Sequence, residues 1–120
     1  MKQKVHSVSY LAKAEFEFKN GVYDLVALPS GAEVVKVSLE VGGNPTGGNI
    51  NIGFKDEGQS GYFLGLTDIT PAKSATVSAR DYTATSNKAI VAEVKAATGN
   101  NIKCVLRVLY FLPSVIEVEY

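Results

Sequence analysis

Few residues in this chain could do chemistry, and their spacing argues against most of it. Ser60 lies in "GQSGY", which superficially resembles a nucleophile elbow, where Gly-x-Ser-x-Gly keeps a strained turn tight on both sides. Tyr62 stands where the last glycine should be, so the pattern fails and Ser60 reads as a turn hydroxyl. The single histidine, His6, would have to serve any Ser-His-Asp or Cys-His relay alone. The single cysteine, Cys104, sits in the apolar run "IKCVLRVLYF". A reactive thiolate needs an electropositive, accessible site, so Cys104 reads as a small buried hydrophobe, and it has no intrachain disulfide partner.

Metal and phosphate readings fail on composition and order. Zinc would need His/Cys clusters. Asp56, Glu57 and Asp68 carry oxygen ligands but lack the alternating carboxylate series of a calcium loop, and read as solvated turn acids. "GGNPTGGN" is glycine-rich, yet it matches neither a P-loop nor G-x-G-x-x-G. The expectation is a chain with no catalytic, cofactor-binding or metal residues, no small-molecule substrate, and no enzyme activity. Twelve Lys+Arg balance twelve Asp+Glu, which argues against nucleic acid and anionic membranes as partners. "MKQKVHSVSY" has no apolar signal core, and no apolar stretch reaches the about 18 residues of a membrane span. A soluble protein made in a cytoplasm is expected.

The elements around these residues alternate with period two, the mark of strands with one buried face. Ala14, Phe16 and Phe18 share one face of "AEFEFK". Val35, Val37, Leu39 and Val41 share a face of "EVVKVSLEVG", as do Ile50, Ile52 and Phe54 of "NINIGF". Ile102, Cys104, Leu106, Val108 and Tyr110 line one side of the last long run. Its other side holds Lys103 and Arg107 but also Val105, Leu109 and Phe111, which predicts a central strand partly buried on both faces. "NKAIVAEVKAATG" suits a helix ending at Gly99 by composition. Ile90, Ala92 and Val94 nonetheless alternate with Val91 and Glu93, and strand is the better reading in an all-β pattern. Tyr82 and Tyr120 read as the exposed aromatics.

Turn signals recur at roughly eight- to twelve-residue spacing, which points to a β-sandwich or barrel. Asn20-Gly21 is the strongest hairpin signal, because both residues tolerate positive φ. The organisation expected is a 1–13 N-terminal arm, a 14–112 sandwich of about eight short antiparallel strands, and a 113–120 segment. That last segment, "PSVIEVEY", follows the break at Pro113. It is either an extra strand or an arm that adds to a neighbour's sheet edge. Candidate partner contacts lie in the two ends: Val5, Val8 and Tyr10, and Val115, Ile116, Val118 and Tyr120.

Several of these elements together resemble small β-rich virion proteins of tailed bacteriophages, the head decoration (cement) and head-fibre-like proteins. Leu28, Pro29 and Gly31 form a Leu-Pro-x-Gly turn before a long strand. Ile52 and Gly53 end the next strand, Tyr62 and Phe63 form an aromatic pair, and "CVLRVLYF" closes the pattern. The resemblance covers about residues 20–112 and departs from the family at "LPSVIEVEY". It implies a jelly-roll-like domain with terminal arms, a homotrimer, seated on the outer capsid surface of the virion. The implied partner is the major capsid protein and the implied task is stabilising its lattice. A carbohydrate- or receptor-binding module of a phage fibre or tail is the competing reading, and a small jelly-roll enzyme a third.

Overall fold

Period-two alternation folds into eleven strands and no helix among the described residues. The computed structural model describes residues 2–6, 8–55, 61–71, 74–78, 81–99, 101–112 and 115–119, with the backbone alone at 2–6 and 115–119. In chain order the strands are β1 Lys2–His6, β2 Ser9–Glu17, β3 Gly21–Leu28, β4 Glu33–Val41, β5 Asn49–Gly53 and β6 Leu64–Leu66. They continue with β7 Ala75–Ser78, β8 Tyr82–Thr83, β9 Lys88–Lys95, β10 Lys103–Phe111 and β11 Val115–Glu119.

One sheet runs β2-β10-β4-β7, with β8 also on β4, and the other runs β3-β9-β5-β6. All pairs are antiparallel. The chain changes sheet at nearly every connection, staying in one sheet only between β5 and β6 and between β7 and β8. Two nested Greek keys produce that order, which is a jelly roll. The sandwich expected from alternation is therefore present, and β9 is a strand. β10 is central, as its two-sided apolar composition predicts, held by β2 on one side and β4 on the other.

Between the sheets lies one apolar core. Leu28, Val34, Leu39, Ile50, Ile52, Ile90, Leu106 and Val108 are at most 1 % exposed. No polar or charged residue is buried among the described residues. The alternation misplaces one core position. β4 and β10 shift register between Leu109 and Tyr110, so Leu109 faces Lys36 while Tyr110 faces Val34. Val35 is the extra residue of that bulge, which leaves it half-buried and puts Val34 in the core. A bulge inserts one residue into one strand and so flips the phase beyond it.

Two further expectations change. Asn20-Gly21 does not close a hairpin ladder, because β2 and β3 lie in different sheets. It turns the chain across the end of the sandwich, with Gly21 at φ 151°. β2 also enters the sheet at Ser9 rather than at Ala14, pairing with β10 along its whole length.

The two ends of the chain meet. β1 and β11 form a separate two-stranded antiparallel ribbon, with Lys2 opposite Glu119 and His6 opposite Val115. No sandwich strand pairs with this ribbon. It prolongs the β2–β10 pair, whose last bond runs from the Leu112 N–H to the Val8 carbonyl at 2.8 Å.

Candidate interaction surface

The described residues that could have carried chemistry do not gather into a site. Among the described residues no group of three His, Cys, Asp or Glu is placed to hold a metal ion. Ser60, Asp56 and Glu57 lie outside the described residues. Asp68 is exposed on the turn after β6, where its N–H donates to Asn49 Oδ1 at 3.1 Å. Cys104 is fully buried on β10, and desolvation pushes its thiol up to about 12. A thiol held that high is protonated at neutral pH and does not act as a nucleophile.

Several of the charges that line the surface grooves are already paired. One of 580 Å³ follows the open side of the sandwich where β2 and β3 run close. Lys55 bonds Asp24 there at 3.0 Å, and Lys19 bonds Glu17 at 2.9 Å. That hydrogen bond, more than the Coulomb attraction behind it, lowers the Glu17 carboxyl and raises Lys19. Both groups are exposed, so the pairs contribute little to stability.

Four aromatic rings close the end of the sandwich nearest the ribbon. Phe54, Phe63, Tyr62 and Tyr82 stack with centroids 4.7 to 6.3 Å apart. Each such ring pair adds about 0.5–1.5 kcal/mol beyond area burial. Tyr82 is thus half-buried against the core rather than exposed, because β8 brings its ring onto Phe54. The Tyr62 hydroxyl donates to the Asp81 carbonyl at 3.3 Å.

The two outer faces of the sandwich differ. On the β3-β9-β5-β6 sheet, Val22 is exposed but isolated opposite Glu93, and Val91 is 1 % exposed beside Asp24 and Gly53. On the β2-β10-β4-β7 sheet, Leu11 is 63 % exposed and faces Leu109 directly. A shallow 290 Å³ groove lined by Leu11, Leu109, Lys36, Ser38 and Arg107 runs across it. Val77 is 60 % exposed on the same sheet opposite Ser38, and Arg107 bonds Glu40 at 3.3 Å. Adjacent exposed apolar side chains on one face are the usual sign of a contact surface.

A jelly roll that carries an unsupported ribbon is the frame in which similarity to known proteins has meaning. A chain from the acidic stable capsid structure of Helicobacter pylori bacteriophage KHP30 matches this one at 68 % identity. The match covers 100 % of both chains with a TM-score of 0.92. The chain belongs to the bacteriophage capsid proteins. A chain of the cyanophage Pam1 capsid asymmetric unit shares the fold at 22 % identity, TM-score 0.66, over 88 % of this chain and 85 % of that one. No family model matches the chain, and no curated protein does. The resemblance to phage head proteins drawn from "LPSG", "INIGF" and "YF" thus holds, and the role of this capsid protein is structural.

Of the candidate contacts, the ribbon gathers those in β1 and β11. Val5 stands opposite Ile116, Val118 opposite Gln3, and Val115 opposite His6. Val8 and Tyr10, 39 % and 52 % exposed, lie at the base of the ribbon, where the Tyr10 ring meets Tyr110 edge-on at 5.9 Å. Tyr120 lies outside the described residues. Leu109 and Phe111 are half-buried, as the two-sided composition of β10 predicts. Leu11 is the surface residue that sequence reasoning missed, because reading residues 1–13 as an arm leaves it unassigned.

Proposed function

We propose that this capsid protein is a decoration (cement) protein that binds the outer surface of the assembled major capsid lattice and stabilises it as a homotrimer. Made in the cytoplasm of the bacterial host, it joins the virion after or during head assembly. The observation that carries the reading is the terminal ribbon. An isolated two-stranded ribbon is marginal in water and gains stability from a third strand or a covering surface. A neighbouring protein is the natural source of that cover, through backbone pairing at the ribbon edges or apolar packing on one face. Val5, Val8, Tyr10, Val115, Ile116, Val118 and Tyr120 are the contacts assigned to it.

The physics of a cement protein needs no reaction. Binding the assembled lattice in preference to free capsid subunits stabilises the assembled state by mass action. Three copies on one closed ring multiply that effect, since the second and third contacts form at high effective concentration. The full-length similarity to a chain of a phage capsid structure supports the reading.

The test is co-sedimentation with capsids that lack the protein, alongside light scattering of the protein alone. A trimer that pellets with capsids and raises their melting temperature is the expected result. A protein that stays in the supernatant at all ratios would rule the reading out.

A further inference from the structure

Four strands end the two sheets of the sandwich, and three of them discourage further pairing. β3 shifts register between Asp24 and Val26, β6 is three residues long and β7 four. Bulges and short lengths are usual ways of closing a sheet edge. β2 uses neither. It is nine residues long, contains no proline, and pairs with β10 in one unbroken register from Ser9 to Glu17. No described strand pairs with its other side. That side opens on the 580 Å³ groove between β2 and β3, lined in part by Glu15, Phe16 and Glu17.

The two faces of β2 show the same incompleteness. Its inward residues Ala12 and Ala14 are only half-buried, whereas Val108 and Leu106 opposite them on β10 are fully buried. Its outward residues Leu11, Lys13, Glu15 and Glu17 are all exposed. Charges on an edge repel most incoming strands and favour one that sets the opposite sign across from them.

We infer that the β2 edge pairs antiparallel with the β2 edge of a second copy, about a twofold axis at Ala14. Lys13 of each copy then stands opposite Glu15 of the other, and Leu11 stands opposite Glu17. Of the registers that keep the outer faces on one side, this one alone sets opposite charges across from each other with no like pair. A shift by one position puts Lys13 opposite Lys13, or Glu15 opposite Glu15. Larger shifts either lose every Lys–Glu pair or set glutamate against glutamate. This self-complementary pattern is what favours a second copy over a strand of another protein. The inward residues fit the same register. Ala14 meets Ala14 at the axis and each Ala12 meets a Phe16, small against large. The contact is isologous and separate from the threefold association of the proposed function, which it neither needs nor replaces.

The experiment oxidises Lys13→Cys and Glu15→Cys chains separately and as an equal mixture, and compares them on non-reducing gels. Cys104 is fully buried, so an introduced surface cysteine reports alone. Residues directly opposite in an antiparallel pair are within disulfide reach, whereas diagonal ones, about 7–8 Å apart, are not. A strong dimer band in the mixture, and little in either chain alone, is the expected result. In sedimentation over a concentration series, Lys13→Glu should weaken self-association about tenfold, because two attractive pairs become repulsive. The exchange Lys13→Glu with Glu15→Lys should restore it. Lys95→Glu, the same charge change on the other sheet, should leave it unchanged. Equal cross-linking by one cysteine alone, no cross-link in the mixture, or a Lys13→Glu chain that associates like wild type would overturn the inference. If the mixture does not cross-link and Lys13→Glu no longer pellets with capsids, the edge takes a strand from the lattice; this inference then fails while the proposed function stands. If the mixture cross-links but wild type never pellets with capsids, the inference stands and the proposed function fails. Should Lys13→Glu not fold, the cysteine mixture decides.

Discussion

The ribbon and the opposite, loop-bearing end of the sandwich are built by contrary rules. At the loop end, four connections lock together. The Ala97 N–H donates to Asn20 Oδ1 at 2.8 Å, Thr46 and Thr98 join hydroxyls at 2.9 Å, and the Ile69 N–H reaches the Gly48 carbonyl at 3.1 Å. Gly48 sits at φ 106°, so close to Phe18 that an added Cβ would lie 2.7 Å from its ring. Ala96 and Asn101 also hold positive φ. Such backbone is costly and persists only where its surroundings enforce it. The ribbon has ladder bonds between its own two strands and no sheet beside it. The contrast teaches that this protein places self-sufficiency at one end and dependence on a partner at the other.

Removing residues 113–120 should give the largest effect. Capsid pelleting should be abolished, while the sandwich keeps its dichroism and nearly its melting temperature. A truncated chain that unfolds would erase the contrast, because the ribbon would then belong to the core. At the loop end, Gly48→Ala should cost about 3 kcal/mol in denaturant titration, from backbone strain and overpacking together, with capsid affinity unchanged once folded. Loss of affinity at full stability would mean that the loop end also docks.

Cys104 gives a pH readout of the closed sandwich. Burial raises its thiol from 9.0 to about 12, so the unfolded chain releases this proton before the folded one. Stability from this group is whole below about pH 9 and is lost as pH rises toward 12. The slope should be about 1.4 kcal/mol per pH unit. Cys104→Ala should flatten that slope, and an unchanged slope would assign it to other groups. Smaller still, Asn20→Ala should cost about 1 kcal/mol by unpairing the Ala97 N–H. The smallest effect is Lys95→Ala, whose exposed pair with Glu93 should leave the unfolding midpoint within error.

Much of the sandwich was legible because alternation reports a buried face directly. Ile50 and Ile52, Phe16 and Phe18, and Cys104 through Tyr110 occupy the faces their spacing predicts. Errors gathered where the period breaks or where distant segments meet. The bulge at Val35 shifts a phase by one residue, which no local pattern announces. Asn20-Gly21 has hairpin chemistry but serves a sheet-to-sheet turn, since turn residues encode local φ and not the pairing partner. The likeness of Ile116 and Val118 to Val5 was visible, yet their pairing spans nearly the whole chain, and composition carries no signal for that. The exposure of Leu11 went unseen because residues 9–13 alternate weakly and read as part of an arm, so no face was assigned to them.

β10 has a mechanical consequence as well. It is the last sandwich strand before the ribbon, and it is flanked by β2 and β4 along nearly its whole length. A pull on the ribbon along its axis therefore loads the β10–β4 ladder in shear, where many hydrogen bonds must yield together. A pull that separates β1 from β11 sideways opens bonds one pair at a time. The same strand that fills the core is thus a tension member, stiff against strain along the ribbon and weak against peeling.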